Sequence, residues 1–214
     1  MAEPSGYAVR QVLMDGERLS RTLARMAHEI VERHRDMKGV VLVGIRSRGV
    51  PLAQRLATLI RKACGSEPPV GALDITLYRD DLTMIAPHPI MKGTEIPVSI
   101  DDRSVILADD VLFTGRTVRA ALDELVDFGR PARIELAVIV DRGHRELPIR
   151  ADYAGKVLST SREEIVQVLL REQDGEDRVL LLEKAATPKA RAARRAARAK
   201  AKPRRKPARG GRRR

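Results

Sequence analysis

Two patterns of apolar residues alternate along the chain. Short, continuous apolar runs occupy Val40–Ile45 and residues 105–109, and such runs are typical of strands buried on both faces of a parallel sheet. Apolar residues that recur every three or four positions occupy residues 16–37, 50–63 and 114–128, which predicts amphipathic helices. Strands that alternate with helices in this order indicate an α/β domain built on a mostly parallel sheet.

Weaker patterns mark the remaining segments. Residues 1–12 predict a leading strand or arm, and residues 71–78 alternate apolar and polar side chains as a strand would. Further strands are predicted at residues 133–141, 157–158, 165–170 and 179–182. The segment 79–97 carries three prolines and a glycine without any periodicity. A loop of that length in a compact domain is usually functional or disordered.

Composition limits the class of protein. Hydrophobic residues make up 43% of the 214 residues, which is sufficient for one domain with its own core. The single cysteine, Cys64, excludes an internal disulfide and a metal site made of cysteines alone. The sequence shows neither a signal-type leader nor a run of roughly 18 apolar residues. We therefore expect a cytoplasmic protein with no membrane partner.

The net charge of +12 is concentrated at one end of the chain. Fifteen of the 41 Lys and Arg residues lie at or beyond Lys184, where there is no Asp or Glu. Positions 1–183 keep the other 26 basic residues against 29 acidic ones, so this part is close to neutral. We expect a domain over residues 1–183 and a disordered tail over 184–214, because the tail has almost no apolar side chain larger than alanine to bury.

The clearest chemical signal is the segment VILADDVLFTGRTVRA at residues 105–120. An apolar strand ends in Asp109 and Asp110, and a short turn leads into a helix that is predicted to begin at Thr114. Ligands of open α/β sheets bind beyond the carboxyl ends of strands, and a helix start offers free N–H groups to phosphate. Gly115 lets the backbone approach that anion, while the two carboxylates suit a vicinal diol. The segment therefore predicts a site for a ribose that bears a phosphate.

This segment resembles the phosphoribosyl pyrophosphate motif of the type I phosphoribosyltransferases. Three further segments extend the resemblance to the PyrR family: VGIRSRG at 43–49, DITLYRDDL at 74–82 and VDRGHRELPIRADYAGK at 140–156. The resemblance spans about residues 7–182 and leaves out the basic tail. It implies the type I phosphoribosyltransferase fold, which is a central, mostly parallel sheet flanked by helices, with a small hood and a flexible lid loop.

The resemblance also implies a role for each matched residue. Asp109, Asp110 and Arg48 would be catalytic. The ribose 5-phosphate loop would comprise Asp109, Asp110, Val111, Leu112, Phe113, Thr114, Gly115, Arg116 and Thr117. The pyrophosphate loop would comprise Arg46, Ser47 and Arg48, and the lid would contain Tyr78, Arg79, Asp80 and Asp81. The hood over the base would begin with Asp141, Arg142 and Gly143. Phe113 departs from the family pattern, where a tyrosine is expected, and this puts one hydrogen bond in doubt.

The family pairs two activities. The first is the reaction of uracil with phosphoribosyl pyrophosphate to give UMP and pyrophosphate, with Mg²⁺ held through the substrate and not directly by the protein. The second is regulation of pyrimidine biosynthesis genes, by binding the leader of their mRNA in response to uridine nucleotides. Basic positions that match the family's RNA-binding residues are Arg25, His28, Arg33, His144, Arg145, Arg150 and Lys156. The resemblance also implies a homodimer or tetramer.

Alternatives remain at the level of the sequence. The protein could be mainly an RNA-binding regulator whose nucleotide site senses UMP or phosphoribosyl pyrophosphate with little turnover. A phosphoribosyltransferase for purines is a further option, but VDRGHRELP conflicts with it. The tail is either an auxiliary arm that anchors RNA or a solubilising extension, since so concentrated a positive charge also binds nucleic acid without specificity.

Overall fold

The computed structural model of the chain describes residues 6–35, 37–76 and 93–185. Within these residues the chain forms eight strands and four helices. The strands are β1 (Tyr7–Met14), β2 (Val40–Ile45), β3 (Val70–Leu73), β4 (Ser104–Leu112), β5 (Arg133–Asp141), β6 (Tyr153–Val157), β7 (Ile165–Leu169) and β8 (Arg178–Lys184). The helices are α1 (Gly16–His34), α2 (Gly49–Cys64), α3 (Arg116–Phe128) and α4 (Arg171–Asp174).

Five of these strands form a parallel sheet in the order β3-β2-β4-β5-β6. Successive residues of β4 point to opposite faces. Ile106 and Ala108 pack in one apolar cluster with buried residues of α1 and α2, whereas Val105 and Leu107 pack in a second cluster with buried residues of α3. The sheet is thus covered by helices on both faces, which explains why its central strands are continuous apolar runs.

Most predicted elements are present, but α1 and β3 end three residues or more before the predicted position. Helix α1 was expected to reach Met37 and ends at His34, because Arg35 and Met37 both adopt a positive φ. Met37 is still buried, as part of the turn into β2. The strand predicted over residues 71–78 stops at Leu73, since the Asp74 carboxylate accepts a hydrogen bond from the Thr76 N–H at 3.0 Å and turns the chain.

A second, antiparallel sheet of three strands, β1-β8-β7, was not predicted. Strand β1 pairs with β8 from Tyr7 opposite Lys184 to Met14 opposite Val179. The pairing continues one step further, because the Ala185 N–H donates to the Gly6 carbonyl at 2.8 Å. The pairing of β1 with β8 therefore includes Lys184 and Ala185. Within the described ranges, no helix combines the length and the apolar character that a membrane crossing requires.

Candidate active site

The predicted site segments meet at one edge of the parallel sheet. Strands β2, β4 and β5 are neighbours, and each leads at its carboxyl end into one predicted segment. Arg46 follows β2, Phe113 follows β4 and Arg142 follows β5. Strand β3, on the other side of β2, precedes the predicted lid, whose residues Tyr78, Arg79, Asp80 and Asp81 lie outside the described residues. Ligands of parallel sheets bind at such an edge.

Both carboxylates lie within β4, which continues past the strand end expected at Asp109. Strand β4 continues to Leu112 because this stretch keeps its pairing with β5, with Asp109 opposite Val138. The Asp110 N–H donates to Asp109 Oδ1 at 2.9 Å, and the Val111 N–H donates to Asp110 Oδ1 at 2.8 Å. The strand thus fixes the direction of both side chains at the edge of the sheet.

Burial makes this acidic pair electrostatically costly. Asp109 is 9% exposed, and its burial raises the pKa of its carboxyl well above the usual range, with the negative charge of Asp110 adding to the effect. Burial also raises the pKa of Asp110, against the positive charge of Arg48, which lowers it. A ligand that supplies hydroxyl donors or a cation would relieve this cost.

The donor set suits a hard cation only with help from a ligand. Within the described ranges, no three or more His, Cys, Asp or Glu side chains converge on one point. Carboxylate oxygens are nevertheless the donors that Mg²⁺ prefers, and this ion usually takes part of its coordination from substrate oxygens. Asp109 and Asp110 therefore fit a magnesium ion that arrives with a phosphorylated substrate.

The loop after β4 presents the start of α3 to the same edge. The helix begins at Arg116, two residues later than predicted, because its N-cap Gly115 has a φ of +94°. That left-handed conformation favours glycine. The first turn of α3 contains no acidic residue, so the positive end of the helix dipole is not neutralised from within that turn. A helix start of this kind favours an anion such as phosphate.

The segment after β5, where the hood is predicted to begin, packs against this loop. The Arg142 N–H donates to the Leu112 carbonyl at 3.1 Å. The Arg142 side chain is 5% exposed, and its guanidinium carbon lies 4.1 Å from the centre of the Phe113 ring. The guanidinium donates to Thr160 Oγ1 at 3.1 Å and to the Ser161 carbonyl at 2.8 Å. Burial lowers the pKa of Arg142. The hydrogen bonds to Thr160 and Ser161 fix the Arg142 guanidinium over the Phe113 ring.

Arg145 secures the hood to the same loop. Its guanidinium donates to the carbonyls of Phe113 at 2.6 Å, Gly143 at 2.9 Å and Ile149 at 2.8 Å. It also forms an ion pair with Asp141. A side chain with this many internal partners positions the backbone around the site, and a role in RNA binding would come in addition to that.

The turn after β2 packs closely on β4. A Cβ added to Gly49 would lie 2.2 Å from the Ala108 carbonyl oxygen, and one added to Gly44 would lie 2.4 Å from Val50 Cα. Both positions require glycine for this reason. Since Ala108 directly precedes Asp109, the turn that carries Arg46, Ser47 and Arg48 is held beside the acidic pair.

The sequence did not predict that residues of α4 contact this turn and fix its conformation. Asp174 of α4 accepts two hydrogen bonds from the Arg48 guanidinium, at 3.0 and 3.3 Å. The Gln173 side-chain amide donates to the Ser47 carbonyl at 2.8 Å. Nothing in the local sequence points to these contacts, because the stretch REQDGED at residues 171–177 has the composition of an ordinary polar turn.

The predicted RNA-binding residues fall into two groups. In the first, Arg25 of α1 donates to the Ala154 and Gly155 carbonyls of β6, and Arg33 pairs with Glu135 and Asp152. His28 lies on α1 as well, and Lys156 lies on β6. The second group is in the hood segment and consists of His144, Arg145 and Arg150. The first group thus follows the face where α1 meets the sheet edge, and the second borders the loop that is predicted to bind phosphate.

Comparisons with known proteins agree with this geometry. A family model of the phosphoribosyl transferase domain matches residues 12–173. The bifunctional protein PyrR of Elusimicrobium minutum is 57% identical over 176 residues, which cover 82% of this chain and 98% of that protein. The bifunctional protein PyrR of Thermus aquaticus is 58% identical over 172 residues, or 80% of this chain and 95% of that protein.

A solved structure supports the architecture. The hypoxanthine phosphoribosyl transferase of Trypanosoma cruzi superposes with a TM-score of 0.64 at 16% identity, over 92% of this chain and 100% of the other. At this identity the likeness speaks for the fold alone. The predicted α/β fold, with a central parallel sheet between helices, is confirmed.

Proposed function

The chain belongs to the phosphoribosyl transferase family and, within it, to the bifunctional PyrR proteins, and we therefore propose that it converts uracil and phosphoribosyl pyrophosphate to UMP and pyrophosphate and also regulates pyrimidine genes by binding their mRNA leader. The observation that carries the enzymatic half is the pair of the buried Asp109 and the half-buried Asp110, between a cationic turn and the start of α3. In this arrangement the acidic pair receives the ribose diol, the cationic turn receives the pyrophosphate, and the helix start receives the 5-phosphate.

In the proposed reaction, the bond from the anomeric carbon of ribose to pyrophosphate breaks and a bond to N1 of uracil forms. The uracil N1 proton is lost, and the electron pair of the broken bond leaves with pyrophosphate. Asp109 and Asp110 accept hydrogen bonds from the ribose diol, while Arg46 and Arg48 face the departing anion. Such groups accelerate the reaction by holding the partners in line and by stabilising the charge that develops.

A magnesium ion fits this scheme through the substrate. When bound, it supplies positive charge that stabilises the leaving pyrophosphate. Asp109 and Asp110 are the residues that would hold it together with substrate oxygens. The start of α3 and the Thr114 and Thr117 hydroxyls bind the 5-phosphate, and the hood beginning at Asp141 covers the base. The predicted lid, which lies outside the described residues, would exclude water from the reactive sugar.

The test is formation of UMP from uracil, phosphoribosyl pyrophosphate and Mg²⁺, with hypoxanthine and orotate as competing bases. We expect turnover that is selective for uracil. Asp110→Asn should lower turnover by roughly a hundredfold or more, since it removes a charged contact to the reacting sugar. Asp123→Asn is the matched control, because Asp123 is an exposed carboxylate on α3.

Two outcomes would change the proposal. Normal turnover by a folded Asp110→Asn protein would remove the role given to the acidic pair. Saturable binding of UMP without any turnover would leave the protein as a nucleotide-sensing regulator and not an enzyme.

The regulatory half has support of its own from the basic residues of the two groups. Cationic side chains supply most of the affinity for RNA through contacts with its phosphates. The chain has only three tyrosines, two phenylalanines and no tryptophan, so few aromatic rings are available to stack on bases. Arg150 is exposed and has no ion pair or hydrogen bond to another described residue, so it is available for a phosphate.

The RNA proposal is tested with Arg150→Ala and a pyrimidine-gene leader transcript. We expect weaker binding and a slope of log affinity against log salt that is shallower by about 0.7 to 0.9, with an unchanged melting temperature. The matched control is Arg178→Ala, an exposed arginine on β8. Equal loss of affinity in both variants would mean that charge alone, and not a defined face, binds the RNA.

A further inference from the structure

The short helix α4 lies against the turn after β2, although 126 residues separate the two in sequence. Helix α4 lies in the connection between β7 and β8, two strands of the small antiparallel sheet. The turn belongs to the parallel sheet. The contact between them is therefore where the small sheet meets the proposed pyrophosphate loop.

The first part of this contact is an ion pair that water scarcely reaches. Arg48 Nη2 lies 3.0 Å from Asp174 Oδ1, and Arg48 Nε lies 3.3 Å from Asp174 Oδ2. The side chains are 18% and 1% exposed. Asp174 Oδ2 also accepts the Leu170 N–H at 2.9 Å. A carboxylate fixed on two sides holds the planar guanidinium in one orientation.

The ionisation of these groups agrees with the geometry. Burial of Asp174 acts to raise the pKa of its carboxyl, but the hydrogen bonds from Leu170 and Arg48 outweigh burial and hold this pKa below its usual value. Arg48 acts on Asp110 in the same sense, since its positive charge lowers the pKa of that carboxyl. Arg48 thus forms hydrogen bonds with a carboxylate of α4 and acts through its charge on a carboxylate of the acidic pair.

The second part of the contact acts on the backbone. The Gln173 amide donates to the carbonyl of Ser47, the middle residue of the loop, at 2.8 Å. Helix α4 is itself fastened to α2, because Arg55 donates to Glu172 at 2.7 and 2.6 Å and to Asp177 at 2.7 Å. These hydrogen bonds join α2, which follows the loop, to α4, which contacts the loop.

We propose that α4 sets the conformation of the pyrophosphate loop, so that Asp174 and Gln173 are positioning residues for ligands that carry pyrophosphate. The inference rests on the function proposed above, in which Arg46, Ser47 and Arg48 receive that group. Asp174 orients the Arg48 guanidinium and Gln173 fixes the Ser47 peptide. Both residues act through the loop, and neither is required for the ribose 5-phosphate at the start of α3.

This division of the site gives a selective readout. UMP has a 5-phosphate and no pyrophosphate, so its affinity does not depend on the loop. Phosphoribosyl pyrophosphate and magnesium pyrophosphate both depend on it. A residue that merely stabilised the fold would change the affinity for all three ligands, whereas a residue that positions the loop changes the affinity for two of them.

The experiment measures dissociation constants of the full chain for phosphoribosyl pyrophosphate, magnesium pyrophosphate and UMP by titration calorimetry. We expect Asp174→Asn to weaken binding of the two pyrophosphate ligands by about tenfold or more, because it breaks a charged hydrogen-bonded pair. Gln173→Ala, which removes one neutral hydrogen bond from an exposed side chain, should weaken them by about threefold. Binding of UMP should stay within about twofold in both variants.

Glu176→Gln is the control, because Glu176 is an exposed carboxylate just after α4 that pairs with Arg178 and lies two residues beyond Asp174. It should change none of the three constants. Steady-state rates should repeat the split, with a raised KM for phosphoribosyl pyrophosphate and a smaller change in kcat.

Three results would overturn the proposal or its premise. Unchanged affinity for magnesium pyrophosphate in both variants would show that α4 does not set the loop. An equal loss of affinity for UMP would show a general structural role. Wild-type protein that neither binds phosphoribosyl pyrophosphate nor forms UMP would instead refute the proposed function. If Asp174→Asn does not fold, Gln173→Ala still decides, since its side chain is on the surface.

Discussion

Asp109 and Asp110 place two like charges next to each other at a buried edge of the sheet. Their pKa values are raised mainly because burial disfavours the charged form of a carboxyl. In the absence of a ligand, such a pair does not add to the free energy of unfolding. The cost is understandable if the site is built for a diol and a cation that arrive with the substrate, since strained or desolvated groups concentrate at functional sites.

Asp109→Asn should therefore stabilise the ligand-free protein at neutral pH while it removes activity. The folded pKa of Asp109 lies above the unfolded value of about 3.9, so the folded state binds the proton more tightly. The destabilisation is absent below about pH 4, grows as the pH rises through the folded pKa and stays constant above it. Thermal melting at pH 7 should show a higher Tm for the variant, by about 2–4 °C per kcal/mol gained.

The gain in Tm should shrink towards zero as the pH is lowered to about 4. Asp123→Asn, at an exposed site on α3, should show no such pH-dependent gain. A lower Tm for Asp109→Asn at pH 7 would mean that hydrogen bonds to this carboxylate outweigh its desolvation.

The packing of β2, β4 and α2 depends on the absence of side chains at their junction. Helix α2 begins at Gly49 directly against the Ala108 carbonyl, without a side-chain cap for its first turn. This closeness is what brings the turn with Arg48 to the acidic pair. The geometry of the site is therefore a property of how these elements pack and not only of the residues that line it.

Gly49→Ala should disrupt this junction. The new Cβ would lie 2.2 Å from a backbone oxygen that cannot rotate away, and overpacking of this kind costs about 1–3 kcal/mol. Chemical denaturation should show that decrease in stability, and the remaining folded protein should form UMP more slowly. Gly16→Ala is the control at the first residue of α1, where the nearest atom lies at an ordinary 3.4 Å; a similar decrease there would indicate a general effect of replacing glycine at a helix start.

Elements with strong local signals could be predicted closely from the sequence. Strands β2 and β5 have the predicted bounds, because each is an apolar run between turn residues. Strand β4 exceeds its prediction since pairing with β5 keeps the two aspartates extended, which no local propensity for Asp would favour. Helix α4 has four residues and no apolar face, so no periodic pattern of apolar residues could predict it.

The part of the chain that the structure describes forms two sheets, whose strands come from different parts of the sequence. The position of the acidic pair and of the loop after it was predictable, because the two form one contiguous segment at the end of one strand. The support of the pyrophosphate loop was not, because Asp174 reaches Arg48 only after the chain has folded back over 126 residues. Long-range partners of this kind leave no spacing pattern in a single sequence.

The basic tail stays a proposal, since residues 186–214 lie outside the described residues. We propose that it anchors RNA next to the folded domain. Removing residues 186–214 should weaken RNA binding and make its salt dependence shallower by about 0.7 to 0.9 for each RNA phosphate that the tail would otherwise neutralise. Formation of UMP should not change, because the described site contains no residue beyond α4.

A tail of the same length, with its Lys and Arg replaced by Gln, is the control for chain length and should bind RNA as weakly as the truncated protein. If truncation leaves affinity and salt dependence as they were, the tail has no part in RNA binding.

The pairing of β1 with β8 also bears on how the protein is made. A ribosome releases the chain from its N-terminus, and domains begin to fold as they emerge. Strand β1 therefore emerges long before its partner strand Arg178–Lys184. The parallel sheet is complete once β6 has been synthesised, at residue 157. Helix α4 arrives only afterwards, so the acidic pair of a nascent chain is in place well before the proposed pyrophosphate loop has its support.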